Sequence, residues 1–332
     1  MRRARFLARL AVLAVVAGLA LLLYFAFAPV GDFAPHPFNH DRNAVWLEHR
    51  WLERRQPEAE TEALLARLHA RGVAYVFPHL IPFDAAGRLP PHDRDEMRAF
   101  LAAARRVAPD MKVLPWIGGV RKGYKRQRPG TVELGDLSQR QRMVAEVRGL
   151  VDEGFDGVHL DVEPVDDGND EYLAVLRAMR TAVGAGHLLS VSAIRPAPVG
   201  LPRAPNFAWS PDYYARVAAT VDQLVIMAYD TALPTASLYQ RYVRWAARSV
   251  AGALDATGSE ARVLMGVPTY EPYTFMHRRG VETPENSLAG VVAGLRGLGA
   301  GGTFEGVAIY ADWTTDEKEW AAYERQWRNR PE

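Results

Sequence analysis

Cysteine is absent from all 332 residues, which excludes disulfides and thiolate metal sites. Lysine is nearly absent as well: four of the 40 basic residues are Lys and the rest Arg, a bias read as codon usage. Neither sign of charge is in excess. The net charge of +1 leaves no broad positive field for nucleic acid, so no nucleic-acid partner is expected. No glycine-rich phosphate turn occurs, and His36, His40, His49, His79 and His92 lack metal-ligand spacing. No metal and no cofactor is implied. Low-complexity tracts and internal repeats are missing too.

What is present begins with a membrane signal. Arg2, Arg3, Arg5 and Arg9 precede an uncharged, mostly apolar run from Leu10 to Ala28, long enough at about 1.5 Å per residue to cross roughly 30 Å of hydrocarbon. The basic flank comes first, so the expected orientation keeps the N-terminus in the cytoplasm and everything after Pro29 outside. Ala26-Phe27-Ala28 resembles a signal-peptidase site, but Pro29 would follow the cut and hinder it. An uncleaved, single-pass anchor is therefore favoured over a removed signal, and both export the remainder. The expected organisation is an anchor over residues 1–29, a Pro-containing linker over 30–43 and one domain over 44–332.

In that domain short β-type runs alternate with helix-type segments. The runs are Ala44 to Leu47, Val73 to Phe77, Lys112 to Ile117, Gly157 to Val162, Leu188 to Ala193, Gln223 to Ala228, Arg262 to Val267 and Gly306 to Tyr310. Apolar residues at helical spacing fill Asp93 to Val107, Gln139 to Val151, Tyr172 to Val183, Leu238 to Leu254 and Leu288 to Leu298. Eight strand–helix repeats predict an α/β fold, a closed (β/α)8 TIM barrel preceded by a transmembrane helix. Ser138 is the expected cap of one helix, and Pro284-Glu285 the first turn of another.

The densest chemistry lies in Asp156-Gly-Val-His-Leu-Asp-Val-Glu-Pro164. His159, Asp161 and Glu163 fall at every second position, so strand periodicity sends all three to one face. Carboxylates that close repel when ionised, which raises one pKa and creates a proton donor near neutral pH. Glu163, nearest the strand end, is the expected donor. Asp161 lies deeper and needs a partner, which His159 is expected to supply. Asp156 has the opposite parity and fits a structural contact.

Active sites of such barrels form at the C-terminal strand ends, where this chain also carries Trp116-Ile-Gly-Gly119, Met227-Ala-Tyr-Asp230, Tyr310 and Trp313. Carboxylates among aromatic rings suit a sugar, whose apolar faces stack on the rings. Trp46, Trp116, Met227 and Tyr310 are candidate pocket lining, and Arg195 is either a substrate contact or an ion-pair partner. The basic stretch Arg121 to Arg128 reads as solvated surface or as a contact for anionic polymer or lipid.

These motifs resemble glycoside hydrolase family 18, the chitinase and endo-N-acetylglucosaminidase family. The likeness rests on the DxxDxDxE strand signature (Asp156, Asp161 and Glu163, with His159 in place of the second Asp), a Gly-Gly turn after strand three, the Met-x-Tyr-Asp ending (Met227, Tyr229, Asp230) and Trp313. The resemblance implies a glycosidase acting beside N-acetylated amino sugars, with a polysaccharide or glycan as partner. It implies Glu163 as general acid and base, Asp161 orienting the acetamido group that serves as nucleophile, and Tyr229 holding the acetamido carbonyl. Trp313 would then be the floor under the sugar and Asp230 a nearby contact. Two alternatives stay open: a non-catalytic carbohydrate-binding barrel, and a retaining glycosidase with Asp230 as carboxylate nucleophile.

Overall fold

Alternate residues of each strand face opposite ways, and in this chain the two faces belong to different cores. The computed structural model describes residues 2–28, 30–31, 34–121, 131–197, 208–270, 274–298 and 302–329. In chain order the elements are α1 (Arg2–Phe27), β1 (Asn43–Leu47), α2 (Arg50–Glu53), α3 (Glu58–Ala70), β2 (Val73–Leu80), α4 (Arg94–Val107), β3 (Lys112–Val113) and β4 (Trp116–Arg121). There follow β5 (Thr131–Val132), α5 (Leu137–Asp152), β6 (Gly157–Glu163), α6 (Asp170–Val183), β7 (Leu188–Ile194), α7 (Pro211–Ala218) and β8 (Gln223–Met227). The chain ends with α8 (Ala236–Thr257), β9 (Arg262–Pro268), α9 (Pro284–Leu295), β10 (Phe304–Tyr310) and α10 (Glu317–Gln326).

All strand pairings are parallel. The order β3-β2-β1-β10-β9-β8-β7-β6-β4-β5 closes through an additional β2–β4 pairing, which gives the eight-stranded (β/α)8 barrel. Ala44, Trp46, Tyr75, Phe77, Leu114, Val225, Leu264 and Ala308 fill its interior. The opposite face, including Val45, Leu47, Val76, Leu160, Val191 and Ile226, packs under the helices in a larger core. Burying each such side chain contributes roughly 1.5–3 kcal/mol.

The third strand differs from expectation. It is split, because Pro115 has no N–H for the ladder, and it resumes at Trp116 and runs on to Arg121. Gly118-Gly119 therefore lies inside β4 and is not a turn. Gly119 faces Val132, where a Cβ would approach to 3.2 Å.

Helices α4 to α10 each begin with a side chain accepting backbone N–H bonds: Asp93, Asp136, Asn169, Ser210, Thr235, Thr283 and Asp316. Each such cap contributes about 1 kcal/mol. The cap of α5 is Asp136, not Ser138, whose amide is one of those it holds. Pro284 and Glu285 do open α9.

Helix α1 is long and apolar enough over Arg9–Phe27 to cross a membrane. The expected linker is not a loose spacer where it is described. His36 and Phe38 are buried, with the His36 ring 5.1 Å from that of Trp327, and His36 Nε2 meets the Gln326 carbonyl at 2.9 Å. Of the basic stretch 121–128, only Arg121 lies within the described residues, and it pairs with Asp166.

Candidate active site

Strand β6 carries its ionisable side chains up the barrel interior in register with β4. His159 pairs with Trp116, Asp161 with Gly118, and Glu163 with Val120. The two carboxylates reach a cavity of about 420 Å³ at the C-terminal ends of the strands. Trp46, Trp116, Met227, Tyr229, Asp230, Tyr310 and Trp313 also line it, so these expected residues converge. Arg195 lines it too.

The carboxylates are tuned by their surroundings. Glu163 is exposed to the cavity mouth, yet its carboxyl is pushed above the usual carboxylate range, first by partial desolvation among the surrounding side chains, then by the charges of Asp161 and Asp230, with Arg195 opposing. Asp161 is raised by burial, while hydrogen bonds from Trp116 and Ser192 favour its ionised form. The Trp116 indole N–H donates to Asp161 Oδ2 at 2.9 Å. The buried Oδ1 has no hydrogen-bond partner among the described residues, and so is available to a donor on a ligand.

His159 is not placed as expected. It is fully buried below the cavity and does not line it. Its ring stacks on Phe77 at 4.0 Å and meets Trp46 edge-on at 5.5 Å. Burial lowers its pKa to about 3, so the imidazole is neutral and supplies no cation to Asp161. Its nitrogens bond Ser190 Oγ (2.8 Å) and Ser192 Oγ (3.0 Å). Ser190 donates in turn to Gln223 Oε1, so it accepts from His159 Nδ1–H and leaves Nε2 to accept from Ser192. Ser192 has one proton and serves either His159 or Asp161, which makes any coupling between those two indirect.

Trp313 lines the cavity from its edge. It is 43% exposed at the rim, edge-on to Tyr310 at 5.9 Å. Tyr310 occupies the central position, with its ring within 6.1 Å of Trp46, Trp116, Tyr229 and Tyr270. Tyr229 stacks on Tyr310 at 5.8 Å, and Gly266 makes the space for it: a Cβ there would lie 2.9 Å from Tyr229 Cε1.

Sequence reading missed a set of residues from the loops after β8 and β9. Tyr270 donates to Asp230 Oδ1 at 2.6 Å. Glu282, its side chain wholly buried, accepts the amides of Asp230 (2.6 Å) and Thr231 (2.8 Å) and the Thr231 hydroxyl (2.6 Å). This holds Asp230 at φ 55°, a left-handed conformation. His277 Nδ1 lies 3.3 Å from Glu282 and 3.6 Å from Asp230. The three ligand-type groups lie within metal-binding reach of one another, but three donors already occupy the Glu282 oxygens. Only spatial proximity reveals this cradle, since its members lie up to 52 residues apart.

Asp156 sits at the opposite end of the barrel, where Arg105 (2.8 Å), Lys112 (3.3 Å) and the Val113 amide (2.9 Å) hold it. Its expected structural role fits that position.

The model of glycosyl hydrolases family 18 matches residues 23–330, nearly the whole chain. The chain belongs to glycosyl hydrolases family 18. Solved structures agree in fold. The family 18 chain is similar to a chitinase from Chromobacterium violaceum (17% identity, 87% of this chain and 99% of that one, TM-score 0.57). It is similar also to the spore cortex-lytic enzyme SleL of Bacillus megaterium (13%, 86% and 73%, 0.61) and to a family 18 N-acetylglucosaminidase from Paenibacillus barengoltzii (14%, 87% and 99%, 0.53). No curated protein sequence matches.

Proposed function

We propose that this family 18 barrel hydrolyses β-glycosidic bonds beside N-acetylated amino sugars, with retention of configuration, on the outer side of a membrane to which α1 anchors it. The observation that carries the reading is the convergence of Glu163, Asp161 and Tyr229 in one aromatic-walled cavity of a size suited to a small ligand.

The Glu163 carboxyl opens into the cavity and keeps its proton at neutral pH, so it can protonate the leaving glycosidic oxygen. The substrate's acetamido oxygen then attacks the anomeric carbon as the C–O bond breaks. Asp161, with Oδ2 fixed by Trp116, offers Oδ1 to the acetamido N–H and balances the positive charge that develops on that group. Tyr229, held by Gly266 and Tyr310, directs its hydroxyl to the acetamido oxygen. Ionised Glu163 then takes a proton from water, which opens the cyclic intermediate and restores the acid. Tyr310, Trp46 and Trp116 supply the ring faces for the sugar, and Trp313 a further one at the rim.

The relatives named above, a chitinase and an N-acetylglucosaminidase among them, favour a glycan containing N-acetylglucosamine. Incubation with N-acetylglucosamine oligomers and peptidoglycan glycan strands tests this, with the anomer first formed read by proton NMR. The expected product is the β-anomer. Failure to cleave either glycan, or an initial α-anomer, contradicts the reading.

A further inference from the structure

Strand β1 begins at the base of the barrel, so an anchor joined directly to it would emerge there and point the cavity away from the membrane. The chain does otherwise. The last turn of α1 is docked at the mouth side, against the first turns of α8, which follow the C-terminal end of β8. Thr235, the cap of α8, donates its hydroxyl to the Ala26 carbonyl. Arg241 donates to the carbonyls of Phe25 (3.1 Å) and Ala28 (3.3 Å), and its guanidinium lies 4.8 Å from the Phe25 ring. Carbonyls that a helix end leaves unpaired are thus satisfied by the barrel.

The chain then descends the outside of the barrel. Val30 N donates to Gln240 Oε1 at 3.0 Å, and Gly31 is so close to α9 that a Cβ would lie 2.8 Å from Ala289. Arg296, just past the end of α9, holds the Ala34 carbonyl at 3.1 Å, and His36 reaches Asn329 near the base. A strap therefore carries the anchor from the base of β1 to the rim of the mouth.

The same rim carries an exposed aromatic side chain. Phe275 is 85% exposed, and its neighbour Met276 accepts the Ala232 amide at 2.7 Å, three residues before Thr235. Such an aromatic ring is costly in water and suited to the lipid–water interface.

We infer that the strap holds the mouth against the outer leaflet, with Phe275 in the interface, so that the substrate is an amino-sugar chain carried by a lipid in that membrane. This rests on the anchored-hydrolase reading above.

The absence of cysteine makes single-cysteine labelling clean. The full chain, reconstituted in phosphatidylcholine–phosphatidylglycerol vesicles, carries an environment-sensitive fluorophore at Val16→Cys in α1, at Phe275→Cys on the rim, or at Asp110→Cys at the base. A lipid-borne quencher should dim the first two and spare the third. Quenching at 16 with a label at 275 as exposed as that at 110 overturns the inference and leaves anchoring intact. No quenching at any of the three overturns both. In the same vesicles a lipid-linked N-acetylglucosamine oligomer should be cleaved at least about tenfold faster than the free oligomer, because both reactants share one surface. Arg241→Ala should remove that advantage and leave the free-oligomer rate unchanged. Equal wild-type rates overturn the substrate assignment. Cleavage of neither oligomer, with the label at 275 quenched, overturns the hydrolase reading while supporting the orientation.

Discussion

The two ends of the barrel treat their charges differently. At the base, Asp156 is held by Arg105, Lys112 and the Val113 amide, and Asp222 in the same way by Arg180 and the Leu189 amide. Both stitch neighbouring strands together. At the mouth, Asp161, Glu163 and Asp230 face one cavity, with Arg195 as the cation that acts on Glu163. Charges at the base are matched where they lie, whereas at the mouth Asp161 and Asp230 add to the desolvation that raises the affinity of Glu163 for a proton. The difference separates carboxylates that hold the fold from those proposed to do chemistry.

Glu163→Gln removes the proton donor and leaves the shape. The expected loss in kcat is about 10²- to 10⁴-fold on N-acetylglucosamine oligomers, with a thermal midpoint no lower than that of the wild type. Asp161→Asn should cost about 10²-fold, by loss of the charge that balances the intermediate. Gly266→Ala should displace Tyr229 and lower kcat about tenfold or more, since misplacement by about 1 Å is that costly; an unchanged rate would remove Tyr229 from the proposed mechanism.

The pH profile sharpens the same contrast. Activity should fall at high pH as Glu163 loses its proton, and at low pH as Asp161 gains one. Because Arg195 lowers the Glu163 pKa, Arg195→Ala should move the basic limb upward; a downward shift would contradict the assignment. Smallest in its effect on activity is Asp156→Ala. It should cost about 2 kcal/mol of stability in denaturant unfolding, by stranding the Val113 amide, with kcat near that of the wild type.

Much of this is legible in the sequence. Parity along β6 separates Asp161 and Glu163 from Asp156, and position at strand ends singles out Tyr229, Asp230 and the aromatic lining. His159 shows where such reading stops: periodicity gives the face but not the depth, and depth leaves the imidazole neutral beneath Trp46. Trp313 lies beyond the end of β10, where strand parity no longer constrains a side chain; it lines the cavity from the rim, and Tyr310 takes the central place. The cradle of Tyr270, His277 and Glu282 was invisible because its members meet only through loop packing. The docking of α1 at the mouth is equally hidden, as hydropathy marks a long apolar helix without saying where on the barrel its end packs.

Titrating Glu163 itself shows whether the mouth keeps an acid protonated. Carboxyl ¹³C NMR of glutamate-labelled protein, with Glu163→Gln to assign the signal, reads its pKa in the resting enzyme. The expected value lies well above the usual carboxylate range and falls when Asp161→Asn removes the neighbouring charge. An ordinary carboxylate pKa, or one indifferent to Asp161, would contradict it.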